Sequence, residues 1–364
     1  MPDLLLNARF LMRPPTGVDR VAQELVAALL QLGLPEGIPR LRALRPRGDI
    51  VAPEARPAAL LDLVEVSGSR LTGQAWEQLA LARTRPDDIL LSLCNTGPMR
   101  RHRQVVMLHD AQVFRQPDSY SPAFRRWYRL MQPRLARRCR MVLTVSDHAR
   151  QELEHFGVVP PGKARIVPNG ADHILRPAPD TGVLHRHGLE PGRYILAIGS
   201  LAPHKNIALL ARAAQARKDR SLPLVIAGGG APGVFAAAGL APAPDLRIIG
   251  RVGDAELRAL YEQATALAFP SLTEGFGLPP VEAMLCGCPV LATTGGAVPE
   301  VCGDAALMLD PQDQQGWTDA LDRIATDAAL RDRLRRAGLE RGARYTWQGA
   351  AQHLLRHLAE VAAL

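Results

Sequence analysis

Short apolar runs of strand length, separated by segments with helical spacing, recur through both halves of this sequence, and no other feature narrows its possible folds as much. In the first half they are DILLSL (88–93), QVVMLHD (104–110) and MVLTVS (141–146); in the second, RYILAIGS (193–200), PLVIAGG (223–229), LRIIG (246–250), ALAFPS (266–271) and CPVLATT (288–294). Runs that stay apolar at successive positions belong to strands covered on both faces, so the pattern predicts an α/β fold with parallel sheets. In open sheets of this kind ligands collect at the carboxyl ends of the strands. The loops that follow the runs are therefore where functional side chains should lie. The length of 364 residues suits about two domains, and the Pro-, Gly- and Asp-punctuated stretch RIVPNGADHILRPAPDTG reads as the linker.

Composition excludes several classes. Hydrophobic residues at 47% and charged residues at 22% give an ordinary globular balance. The start MPDLLLNARF has no basic segment and only a brief apolar run, so a secretory signal is not expected and a cytoplasmic location is. The uncharged stretch 221–244 holds four prolines and five glycines, which argues against a membrane span. Five cysteines without paired zinc spacing, including CGC at 286–288, predict buried thiols and no metal site. The net charge of +8 comes from a basic set of 41 arginines and 3 lysines. Residues 1–172 carry 25 basic and 17 acidic side chains and residues 173–364 carry 19 of each, so the whole excess lies in the first half.

Part of that excess sits in SPAFRRWYRLMQPRLARRCR (121–140), with seven arginines and no acid. Arg125, Arg126, Trp127 and Arg129 are its candidates for contact with an anionic membrane surface or an anionic acceptor. The alternative is a solvated helix whose aromatics face the core.

The stretch LTEGFGLPPVEAMLCGCPV (272–290) carries the densest chemistry. Pro279 and Pro280 can open a helix, since proline in a first turn loses no needed hydrogen bond. Glu274 then falls in the preceding loop and Glu282 in the first helical turn. Gly275 and Gly277 let backbone N–H groups approach a ligand, and the helix start favours an anion. A phosphate carried between two sugar rings would match amide donors flanked by two carboxylates. The plainer alternative has Glu282 complementing the helix dipole and Glu274 as a solvated acid.

This stretch resembles the E-x7-E signature of retaining glycosyltransferases of family 4. The resemblance extends through TGVDR, HD after a strand, TVSDHAR, VPNGAD, AIGSLAPHKN, IAGGG, IIGRVGDAELRALY and YTW, in order. It implies the GT-B fold, two Rossmann-like domains facing across a cleft: an acceptor domain over 1–172, a nucleotide-sugar donor domain over 173–345, and a final helix over 346–364 crossing back to the first. The resemblance gives Glu274 contacts with donor-sugar hydroxyls and Glu282 contacts with the ribose. The amides of Phe276, Gly277 and Leu278 then face sugar and diphosphate. Lys205, from SLAPHKN, neutralises the diphosphate leaving group, His109 shapes the reacting geometry near the donor sugar, Gly17 at a helix mouth lines the donor site, and the backbone at Arg251 and Val252 meets the base. The chain departs from the family pattern at Ser200 and at His204, where some members carry arginine, so a second positive charge on the diphosphate would come from Arg20, Arg251 or amide groups.

No metal or other cofactor is implied, the nucleotide-sugar being a substrate. TGVDR and SLAPHKN resemble bacterial mannosyl and rhamnosyl transferases of surface polysaccharides, which makes GDP-mannose the first donor to consider and a glycan or lipid-diphosphate-linked glycan the acceptor, with peripheral contact at an anionic inner-membrane face and no nucleic-acid partner. Three other readings stand beside this one. GGGAPG at 228–233 fits a dinucleotide fingerprint, but LRIIGR ends without the ribose-binding acid of an NAD enzyme. A sugar-nucleotide epimerase would use a similar cleft, and a non-catalytic protein of this fold would bind a glycan or a partner.

Overall fold

A computed structural model of the chain describes residues 2–48, 50–51, 62–65, 70–229 and 245–363. They form two compact units, Met1–Gly170 with Thr346–Leu364, and Ala171–Tyr345. The strands of the first unit are β1 (Leu4–Asn7), β2 (Leu41–Arg45), β3 (Asp62–Glu65), β4 (Ile89–Ser92), β5 (Gln104–Met107), β6 (Met141–Thr144) and β7 (Ala164–Ile166). They pair in parallel in the order β3-β2-β1-β4-β5-β6-β7. Those of the second are β8 (Ile195–Ile198), β9 (Leu224–Ala227), β10 (Leu246–Gly250), β11 (Ala266–Phe269), β12 (Val290–Thr293) and β13 (Leu307–Leu309), parallel in the order β10-β9-β8-β11-β12-β13.

All eight apolar runs are strands. Among the described residues five other strands, β1, β2, β3, β7 and β13, carry no comparable signal. β7 and β13 are three residues long, β2 alternates arginine with leucine and alanine, and β1 is a bare LLLN.

The helices that position the sites are α1 (Gly17–Leu32), α2 (Pro122–Arg138), α3 (Ile207–Gln215), α4 (Asp254–Gln263), α5 (Leu278–Leu285), α6 (Ala328–Gly342) and α7 (Trp347–Ala362). Among the described residues no helix is long and apolar enough to cross a membrane. In the second unit, apolar clusters fill both faces of the sheet, one around Tyr194, Phe269 and Met284 and the other around Ile226, Leu291 and Trp317. Each large side chain so buried contributes roughly 1.5–3 kcal/mol.

α7 belongs to the first unit and packs along α1. Glycine is required at 170, because a Cβ there would collide with the backbone of Thr346 and Trp347. One residue later Ala171 N–H donates to Tyr345 C=O at 2.9 Å, closing the second unit on itself.

In both sheets the order reverses beside the first strand, between β1 and β4 and between β8 and β11. Crevices at such reversals, at the strands' carboxyl ends, are where open α/β sheets bind ligands.

Candidate active site

In the second unit, the loops after β8 and β11 flank this reversal, and hydrogen bonds tie them together. Pro203–Lys205 form a short 3-10 turn that ends at Asn206, whose φ of 54° is uncommon for a residue with a side chain. Its Nδ2 donates to Pro270 C=O at 3.1 Å and Pro311 C=O at 2.7 Å, which holds that conformation. Leu272 N–H donates to His204 C=O at 2.7 Å. Lys205 Nζ thereby meets Glu274 Oε1 at 2.7 Å, the ammonium and the carboxylate being 26% and 11% exposed.

From the other side the loop is braced by Gly295 and Gly296, where any Cβ would overlap the backbone of Leu272 or Glu274. Ala297 N–H donates to Glu274 C=O at 2.9 Å. Neither Asn206 nor this glycine pair was recognised from the sequence. A Gly-Gly dipeptide directly after a strand was the available signal.

Gly277, at φ 91°, turns the chain into α5, with Pro279 and Pro280 in its first turn. Phe276 is buried edge-on against Tyr345, ring centroids 5.4 Å apart. The helix opens at Leu278, one residue earlier than the prolines alone suggest, so Glu282 lies in the second turn and not the first. The helix-dipole explanation for Glu282 weakens accordingly, since that effect fades within one turn. The helix ends at Gly287, φ 69°, with Gly287 N–H on Met284 C=O and Cys288 N–H on Ala283 C=O, a Schellman closure.

Glu282 is 7% exposed and both its oxygens have protein partners. Oε1 lies 3.1 Å from His173 Nε2, and Oε2 accepts from the Tyr261 hydroxyl at 3.0 Å. Burial, then the neighbouring Glu282 charge, pushes the Tyr261 phenol far up, so it stays a donor. A carboxylate has about four acceptor positions, and these partners take two of them.

Other predicted residues of this unit occupy the same strand ends. Ser200 Oγ accepts from Ala202 N–H at 3.3 Å at the start of the Lys205 turn. His204 is held below its ordinary pKa by burial and by Lys205, against the pull of Glu274, so it is no second cation near neutrality. Arg251, directly after β10, is exposed, and Val252 packs on the core. GGGAPG begins at Gly228 and Gly229, both at positive φ, and continues outside the described residues. The thiols of Cys286 and Cys288 are free, and burial pushes that of Cys286 up to about 12. A cavity of about 310 Å³ bounded by Gly192, Ser221 and Thr265 lies at the strands' amino ends, away from Lys205 and Glu274.

Gly17 and His109 belong to the first unit. Gly17 opens α1, and a Cβ there would meet nothing within 4 Å, so packing does not require glycine. Thr16 N–H and hydroxyl donate to the fully buried Asp19 at 2.9 and 2.6 Å, and Arg13 Nε and Nη2 reach the same carboxylate at 3.1 and 2.6 Å. Arg20 faces Glu24 across one turn at 3.9 Å. A second buried network, not foreseen from the sequence, joins Asn7, Arg9 and Thr96 to Glu77 at 2.8–2.9 Å.

His109 follows β5, 5% exposed. Its N–H donates to Asn95 Oδ1, and its Nε2 lies 2.8 Å from Leu93 C=O. A carbonyl only accepts, so Nε2 carries the proton and Nδ1 keeps an acceptor lone pair in the neutral ring. Burial lowers its pKa to about 4, opposed by the bond to Leu93 and by Asp19. Asp110 Oδ1 accepts from Gln112 N–H at 2.9 Å and shapes the following turn.

The unfolded chain protonates this imidazole near 6.5 and the native protein only near 4. Its contribution is intact above pH 6.5, and stability falls by about 3 kcal/mol as pH drops to 4. Denaturant titrations at several pH values should show this slope in the wild type and its loss in His109→Gln. An unchanged slope would mean the ring is not held neutral.

On α2, Arg125 lies 3.6 Å from Asp118, Trp127 packs on the first unit's core, and Arg129 sits over the Phe114 ring at 5.8 Å. Arg126 is exposed, its Nε directed to Pro122 C=O at 3.4 Å.

Comparison with known proteins decides what these strand ends belong to. The family model described as Glycosyltransferase Family 4 matches residues 15–174, and that described as Glycosyl transferases group 1 matches residues 186–341. O-antigen chain mannosyltransferase B of Escherichia coli is 33% identical over 69% of this chain and 68% of its own length. The chain belongs to glycosyltransferase family 4. O-antigen chain mannosyltransferase RfbU of Salmonella typhimurium strain LT2 is 29% identical to this glycosyltransferase over 63% of each chain, so the match stops short of two thirds of that relative's length. Among solved structures, sucrose-phosphate synthase from Thermosynechococcus elongatus superposes with a TM-score of 0.76 at 19% identity, covering 100% of this chain and 99% of its own. At that identity the likeness speaks for the fold, which is GT-B.

Proposed function

We propose that this glycosyltransferase moves a mannosyl group from GDP-mannose to a hydroxyl of a growing, lipid-diphosphate-linked glycan in surface polysaccharide synthesis, with retention at the anomeric carbon. The observation that carries the reading is the Lys205–Glu274 pair, 2.7 Å apart on the two loops flanking the strand-order reversal. The sugar is supported by the relatives named as O-antigen mannosyltransferases.

In this reading the bond from the anomeric carbon to the β-phosphate oxygen breaks, a bond to the acceptor oxygen forms on the same face, and the acceptor proton passes to the departing diphosphate. Negative charge grows on that diphosphate. Lys205 has three N–H donors, so it can keep Glu274 and still bond phosphate oxygens. It takes the charge-stabilising role without a metal ion. Glu274 accepts from donor-sugar hydroxyls, Glu282 from the ribose, and the amides of Phe276, Gly277 and Leu278 face the diphosphate. Neutral His109 accepts from a sugar hydroxyl at Nδ1. With no protein nucleophile, rate comes from positioning and preorganised charge.

A thermal-shift panel of UDP, GDP, dTDP and CMP sugars tests this directly. A ligand at 100 times its Kd adds about 2.7 kcal/mol to stability, so GDP-mannose should raise Tm by several degrees and the others by less. A panel in which no nucleotide moved Tm would remove the donor site; a response to UDP- or dTDP-sugars alone would replace the donor.

A further inference from the structure

We propose that a stack of three aromatic rings on the first unit, Tyr120, Phe124 and Tyr128, with Arg9 and Arg13 beside it, holds the neutral sugar rings at the end of the acceptor. The assignment deepens the function proposed above and rests on that reading for the acceptor being a glycan.

In the first unit the strand order reverses between β1 and β4, and Arg9 and Arg13 lie directly after β1. α2 opens after Ser121, whose Oγ accepts from Phe124 N–H at 3.3 Å, and Phe124 and Tyr128 follow one turn apart on one stripe of the helix. Their rings stack with centroids 4.0 Å apart and planes at 18°, and Tyr120, ahead of the helix, stacks on Phe124 at 5.3 Å and 8°. The second pair is offset, so part of each face stays uncovered, and Phe124 is 38% exposed. The Tyr120 hydroxyl donates to Gln112 Oε1 at 3.0 Å and Gln112 N–H to Asp110 Oδ1 at 2.9 Å, which ties the stack to the turn after His109. Burial pushes the Tyr128 phenol up to about 12 against the charges of Arg9 and Arg13, so its hydroxyl stays a donor within their reach.

The charge balance selects a neutral ligand. Arg9 Nε bonds Glu77 at 2.9 Å and Arg13 Nη2 bonds Asp19 at 2.6 Å, and both carboxylates are buried. Each guanidinium is therefore fixed in place and matched in charge, yet neither Nη1 has a partner among the described residues. Spare, preorganised N–H donors without surplus charge suit hydroxyls; a phosphate would have to compete with the two carboxylates. A pyranose ring offers what both parts of the site take, C–H groups for the negative face of an aromatic ring and hydroxyls for the fixed donors.

Titration with the methyl glycosides of one, two and three mannoses, followed by saturation-transfer NMR without any donor, tests the assignment. The trimannoside should bind the wild-type chain roughly tenfold more tightly than the monomannoside, the value of covering one further aromatic face. Its affinity should hold as salt rises, since a neutral ligand has no charge to screen. Phe124→Ala, a change at an exposed position, should remove most of that tenfold, and Phe124→Tyr should restore it. Arg13→Lys keeps a cation for Asp19 but drops the spare Nη1 donor, and should weaken all three ligands several-fold. Equal affinity of the wild type for the mono- and trimannoside, or of Phe124→Ala and the wild type for the trimannoside, would overturn the proposal. So would sedimentation showing a dimer that Phe124→Ala dissolves, with no glycan bound, which would give the rings to a second copy of the chain. GDP affinity, which belongs to the second unit, should be the same in every variant and reports folding. A wild-type chain that bound the trimannoside but not GDP would fault the donor assignment and leave this platform standing.

Discussion

Glu274→Ala is expected to reduce sugar transfer by about 10²–10³-fold at saturating donor, the usual effect of deleting one preorganised group at the reacting centre, while nucleoside diphosphate affinity changes less than about threefold. The reason lies in where the carboxylate sits. It is on a loop pinned by Leu272 N–H, Ala297 N–H and two glycines, so its position belongs to the scaffold and the vacancy will not be refilled by loop movement. Stability should change little, because a partly exposed ion pair contributes at most about 1 kcal/mol and the Lys205 ammonium remains 26% exposed to water. Lys205→Ala should differ in kind. It removes the group facing the diphosphate, and both turnover and nucleoside diphosphate affinity should fall. Steady-state rates and calorimetric titration with GDP check both variants. A Glu274→Ala enzyme that kept more than about a tenth of wild-type turnover would end the assignment of Glu274 to the donor sugar.

The parallel sheets and the main chemical loops were legible because they depend on local pattern. Val-, Ile- and Leu-rich runs mark strands covered on both faces, and glycine and proline around Glu274 mark a loop opening a helix. What stayed hidden depends on contacts distant in sequence. β2 could not be read from LRALR, since arginine alternating with small apolar residues looks like a surface segment until its neighbours supply pairing. Asn206 resembled any residue after a lysine, yet its left-handed backbone and bonds to Pro270 and Pro311 set where Lys205 stands. His173 looked like a linker residue; only the fold shows its ring on Glu282. On α2, composition singles out Arg125 and Arg129, but only the fold shows Asp118 beside the first and the Phe114 ring under the second.

The second large effect concerns Glu282, and the contacts to His173 and Tyr261 make its test sharper than one alanine substitution. Glu282→Ala should weaken nucleoside diphosphate binding by about tenfold to a hundredfold, the value of a hydrogen bond to a charged acceptor. It should also lower stability by about 1–3 kcal/mol, because it leaves a buried phenol and a buried imidazole without their partner. Affinity and stability therefore fall together, and alone that result cannot separate a ribose ligand from a structural brace. Tyr261→Phe separates them. It removes one brace and leaves the carboxylate, so stability should drop by about 1 kcal/mol while affinity falls only a few-fold through looser orientation. If Glu282 contacts the ribose, the 2′-deoxy and 3′-deoxy nucleotides should lose affinity against the wild type and lose little more against Glu282→Ala. If Glu282 only fastens the segment around His173 to α5, every variant should show the same preference for the ribonucleotide, and the ribose assignment would fail with the donor site otherwise intact.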